Sequence, residues 1–97
     1  MNTLLQAVDN YINHLKSDYN KNGYSNKEFY FEAGRKYLHV IMKDNQRSSH
    51  SFICIKDDKK FKAGDILKSA SWASPAKNFP RGNVLTGNFQ HIRWVGA

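Results

Sequence analysis

Between Leu67 and Asn83 the chain gathers Lys68, Trp72, Ser74, Lys77, Phe79, Arg81 and Asn83 without one carboxylate. Cations, hydroxyls and amides at that density suit an anion, and rings set among them suit an unstacked base. Ser74-Pro75-Ala76-Lys77-Asn78 has the grammar of a helix start, with Ser as N-cap and Pro in the first helical position, yet Pro80 would end it within about one turn. A turn of that kind leaves amide N–H groups pointing outward. With Lys68, Lys77 and Arg81 close by, those donors favour a phosphate. The same residues admit a plainer reading, in which Trp72, Pro75 and Phe79 are buried anchors of an irregular loop and the cations are solvated. The two agree if the rings hold the loop while the charges face out. Arg93 extends the expected contact set, and Lys59, Lys60 and Lys62 form a secondary basic rim.

Acid–base or nucleophilic chemistry has thinner support. His39 and His50 fall on segments expected to pair as strands, so they could stand together as a nuclease-like pair acting on RNA, with Lys77 or Arg81 on the phosphate. His14 and His91 have no such company. Asp44, Asp57, Asp58 and Asp65 fall mainly at turns, where a carboxylate serves backbone hydrogen bonds. There is no paired carboxylate, zinc spacing, glycine-rich phosphate loop or nucleophile elbow. No catalytic residue, metal or cofactor is assigned, and a binder is preferred to an enzyme. Cys54 is the single cysteine, so it can form no internal disulfide and is expected to be a small buried hydrophobe.

The charge supports the same preference. The net charge is +7, and it is unevenly placed. Residues 1–34 carry Lys16, Lys21 and Lys27 against Asp9, Asp18, Glu28 and Glu32; no acid follows Asp65, whereas Lys68, Lys77, Arg81 and Arg93 do. The positive field therefore belongs to the C-terminal two-thirds. No apolar run reaches the roughly 18 residues that a spanning helix needs, and the N-terminus does not read as a secretory signal, so no membrane association is expected.

These residues must be positioned by a single domain covering residues 1–97. Leu4, Leu5, Val8, Tyr11, Ile12, Leu15 and Tyr19 recur at helical steps and predict an amphipathic helix from Thr3 to Tyr19, with Asn2 or Thr3 as N-cap and the segment from Asn20 to Asn26 ending it. The helix is read as a cover for a sheet; its stripe could instead form a homodimer face. Strands are predicted over Glu28 to Glu32, Arg35 to Lys43 and Ser48 to Lys56. In the second, Tyr37, His39 and Ile41 share one side. In the third, His50, Phe52 and Cys54 face opposite to Ser51, Ile53 and Ile55. Phe61-Lys62, a tight reversal and Ile66-Leu67 suggest two short strands, and His91 to Val95 a closing one. Periodicity disappears from Ser69 to Gly87. The expected fold is α+β, an N-terminal helix on an antiparallel sheet of four to five strands with a long structured C-terminal loop.

The run from Lys62 through Gly64-Asp65-Ile66-Leu67-Lys68, Ala70-Ser71-Trp72 and Pro75-Ala76-Lys77 to Arg81-Gly82-Asn83, preceded by a strand at Ser49 to Ile53, resembles short uncharacterised proteins encoded by tailed phages. The likeness covers about Lys36 to Asn83. It implies phage origin and action in the host cytoplasm, and it carries no chemistry to transfer. Two partner classes follow. The preferred one is nucleic acid, held mainly through phosphates by the basic loop. The alternative is an effector that binds and inhibits an acidic host protein, steered by charge.

Overall fold

The apolar stripe winds onto one face of helix α1, Thr3–Lys21, in a computed structural model that describes residues 3–23 and 26–97. Val8, Tyr11, Ile12, Leu15 and Tyr19 are buried along it, while Leu5, expected on the stripe, stays exposed. The helix ends where Asn22 and Gly23 donate their amides to the Tyr19 and Asn20 carbonyls. Of the expected cap, Asn2 lies outside the described residues.

The chain then forms β1 (Glu28–Ala33), β2 (Tyr37–Lys43), β3 (Arg47–Cys54), β4 (Asp65–Lys68) and β5 (Gly82–Asn83). Each pairs antiparallel with the next, giving a five-stranded sheet in the order β1-β2-β3-β4-β5. This is the expected α+β arrangement. Strand alternation divides its side chains between two faces. Phe29, Leu38, Val40, Ile53 and Ile66 meet the helix, joined by Val84, Phe89 and Ile92 from the C-terminal segment. Phe52, Cys54 and Leu67 turn to the other face, where Phe61 and Tyr37 pack on them.

One irregularity changes which residues share a face. Val40 pairs with Ser51 and Ile41 with Ser49, so His50 is an extra residue in β3. A bulge of this kind resets the alternation. His50 therefore turns to the helix and reaches Tyr11, not to the side of Phe52 and Cys54 as strict alternation predicts.

Three further expectations are corrected. Phe61-Lys62 is not a strand: the Asp58 carboxylate takes the Lys60 and Phe61 amides and Asp65 takes that of Lys62, which removes those donors from any ladder. His91 to Val95 forms turns, because Ile92 donates to the Phe89 carbonyl and the Trp94 amide is taken by the Asp18 carboxylate. The helix start at Ser74 does not form either. Pro75 bridges to Ser69 and the Ala76 amide donates to the Lys68 carbonyl, so the backbone continues along the sheet edge. None of the described helices is long and apolar enough to cross a membrane.

Candidate functional site

The face of the sheet away from α1 is built by β2 and β3. His39 and Phe52 are cross-strand partners whose rings stack in parallel, centroids 4.3 Å apart. Tyr37 meets Phe52 edge-on at 5.9 Å. The turn after β4 then carries Trp72 over this row, where it meets His39 at 4.7 Å and 66°. Ser69 opens that turn with its hydroxyl on Ser49, whose own hydroxyl lies 2.7 Å from His39 Nε2. Ala70 and Ser71 close it by donating to the Ser74 carbonyl.

Trp72 remains 44% exposed, so it is not a core anchor. The Arg47 guanidinium lies 5.0 Å from its ring centre while also donating to Glu32 at 2.9 Å. Phe79, farther along the loop, is 52% exposed and has the Arg81 guanidinium 4.1 Å from its ring centre. Both loop aromatics thus stand at the surface, each paired with an arginine. Pro75, between them, is buried.

The cations expected to act together are dispersed. Lys77 and Lys60 are neighbours, since the Lys60 ammonium donates to the Lys77 carbonyl. Lys59 and Lys62 are exposed on the preceding turn. Lys68 pairs with Ser51, whose hydroxyl meets Tyr11, so the alternation turns Lys68 to the helix side. Arg93 also lies on the helix side, with Nε bound to both Asp18 oxygens at 2.9 and 3.0 Å. Hydrogen bonds from the Trp94 amide and from Arg93 hold the Asp18 carboxyl below its ordinary value. Ser74 is exposed, with its carbonyl spent on the turn.

Asn83 was expected to face a ligand and instead holds the fold. Its amide donates to the Ala63 carbonyl and Asp65 carboxylate, and its oxygen accepts from the Leu85 and Thr86 amides. Of the outward-pointing amides predicted after Ser74, that of Ala76 is taken by β4, and farther on the Phe79 amide is taken by the Asn78 side chain.

His39 and His50 are separated by the sheet. Burial holds both below the ordinary imidazole value, His50 down to about 4, although its bond to the Arg93 carbonyl pulls the other way. His50 is enclosed by Tyr11 and Ser51. This arrangement suits a structural polar contact rather than two bases on one phosphate. Burial likewise pushes the Cys54 thiol up to about 11, with the Asp65 and Asp58 charges adding to the effect.

Residues that the loop motif did not bring forward complete the surface. Arg35 and Lys36, on the β1–β2 turn, face the groove beneath Trp72, and Arg47 covers the indole. Their signal is the basic balance after residue 34, but only strand pairing brings them to the same face as Trp72.

No curated protein and no solved structure matches the chain. Residues 1–96, helix, sheet and loop together, match the sequence profile of DUF7717, a family of unknown function, and the chain belongs to that family.

Proposed function

We propose that this protein binds single-stranded nucleic acid through the open face of its sheet and the loop that crosses it. The observation that carries the reading is the exposure of Trp72 and Phe79, each beside an arginine, on a chain of net charge +7. Exposed rings and guanidinium planes both stack on unpaired bases, and lysines such as Lys77 and Lys60 meet the phosphates without selecting sequence. Lys68 and Arg93, on the helix side, stand outside this surface. The phage resemblance suggests that binding takes place in the host cytoplasm.

The test is binding of labelled single-stranded and duplex DNA and RNA over a salt series, with tryptophan emission recorded in parallel. Expected are a preference for single strands, quenching on binding, and a log–log salt slope of roughly −0.7 per phosphate contacted. Lys77→Ala with Arg81→Ala should weaken binding at low salt without unfolding the domain. Absence of binding at low salt overturns the reading and moves the search to an acidic host protein.

A further inference from the structure

A groove lies beneath Trp72 on the open face. It is open to solvent and offers about 420 Å³ between the indole, the Tyr37 and His39 rings, and the β1–β2 turn that carries Arg35 and Lys36. Small organic ligands occupy pockets from about 300 Å³ upward. A second hollow of about 190 Å³ adjoins it across Arg35, Lys36 and Tyr37, with Lys56 on its far side. Rings line the larger groove, and Arg35 and Lys36 stand where the two hollows meet.

In each hollow the balance of charge is positive. Arg35 and Lys36 make no ion pair among the described residues. Glu32, at the rim, is engaged by Arg47. Asp57 and Asp58 border the smaller hollow and keep their charge there, but its three cations, Arg35, Lys36 and Lys56, outnumber them. An anion is therefore favoured on the Arg35–Lys36 side.

The ring surface left available is that of Tyr37 and Trp72. His39 and Phe52 already stack on one another, so their faces are partly spent. A sugar phosphate or aliphatic anion would match the cations and leave the rings without a partner. A nucleotide has both an aromatic plane and an anionic group.

We propose that this groove is a nucleotide pocket: one unstacked base enters between Trp72 and Tyr37, and its phosphate meets Arg35 and Lys36. The inference deepens the single-strand reading by placing a base site at the β1–β2 turn, outside the C-terminal loop. The occupant is either a nucleotide within a strand or a free mononucleotide, and the same experiment separates them.

The full chain is titrated with the four ribonucleoside monophosphates, with a ten-nucleotide single strand, and with an abasic strand of equal length, reading tryptophan emission and anisotropy. Two variants are compared, Tyr37→Leu and the exposed pair Arg35→Ser with Lys36→Ser, after circular dichroism confirms folding. For a strand-borne base, Tyr37→Leu should lower affinity for the base-containing strand about tenfold and leave the abasic strand unchanged, since one stacked base contributes roughly this much. The Arg35–Lys36 variant should weaken both strands. Strand binding unaffected by either variant overturns the pocket and leaves the single-strand reading standing. Mononucleotide binding that depends on Tyr37, without strand binding, supports the pocket and overturns the single-strand reading. Binding of neither ligand overturns both.

Discussion

The Nε2 of His50 lies 2.9 Å from the carbonyl oxygen of Arg93, which fixes the direction of a buried hydrogen-bond chain. A carbonyl only accepts, so Nε2 carries the hydrogen and Nδ1 is left as an acceptor. Ser51, at 2.9 Å, is nearer to Nδ1 than the Tyr11 hydroxyl at 3.4 Å, so the shorter contacts have Ser51 donate to Nδ1 and Tyr11 donate to the Ser51 oxygen, also at 2.9 Å. One chain of donors links α1, the β3 bulge and the C-terminal segment. It is closed only while the imidazole is neutral.

Stability should therefore depend on His50 protonation. Its value is about 4 in the folded protein and 6.5 ordinarily, so between these the unfolded state binds more protons. The contribution is whole above pH 6.5 and falls as the pH drops towards 4, by about 3 kcal/mol in all. His39, also depressed by burial, adds a change of the same sign. Urea unfolding from pH 7.5 to 4 measures the slope. His50→Gln should be less stable at pH 7 and lose most of that slope; an unaltered slope would assign the titration elsewhere.

The same chain ranks two substitutions. Tyr11→Phe removes the terminal donor and leaves the Ser51–His50 link intact, a net cost of about 1 kcal/mol. Ser51→Ala removes both 2.9 Å links and leaves the Tyr11 hydroxyl and His50 Nδ1 only their longer 3.4 Å contact in a buried setting, and should cost about 2–3 kcal/mol. Urea midpoints in the reverse order would show that the hydroxyls do not form this chain.

Two glycines should resist substitution for different reasons. A Cβ at Gly82 would collide with the Asn88 carbonyl oxygen, and backbone on both sides cannot yield cheaply. Gly64 has φ of 89°, and its Cβ would lie 2.8 Å from the Asn83 oxygen that already serves two amides. Gly82→Ala and Gly64→Ala should each cost about 1–3 kcal/mol, visible as a lower thermal midpoint. A midpoint within about 1 °C of the parent for Gly82→Ala would contradict the close approach.

How far the sequence reveals this fold depends on how local each determinant is. The helix and the first three strands follow from apolar spacing, because each pattern repeats along its own segment. The face of His50 does not follow, since the bulge exists only in the pairing of β3 with β2. The two residues of β5 carry too short a pattern to read, and their pairing comes from the β4 edge. In the loop, residue types mark an unusual surface but cannot distribute roles. Asn83 and Arg93 are hydrogen-bond donors as Lys77 is, yet Asp65 and Asp18, distant in sequence, claim them for the fold.

Cys54 should be slow to react although it is a free thiol. It is 3% exposed, and its value near 11 leaves little thiolate at pH 8. A chromogenic disulfide reagent should label it within minutes only after denaturation. Prompt labelling of the folded protein would place the thiol at an accessible surface.

Trp72 and Trp94 allow binding to be separated from folding. Trp94 is half-buried against Tyr19, with centroids 4.7 Å apart, on the apolar cluster beneath α1. Trp94→Ala should therefore cost stability, about 2–4 kcal/mol, whatever it does to ligands. Trp72 meets the His39 ring and the Arg47 guanidinium and is 44% exposed. Trp72→Ala should change stability by less than about 1 kcal/mol. If the indole stacks on a base, the same substitution should weaken single-strand affinity by roughly 5- to 100-fold and remove most of the emission change. Wild-type affinity in Trp72→Ala would exclude the indole as a stacking surface and leave the arginine-capped Phe79 as the remaining exposed loop ring.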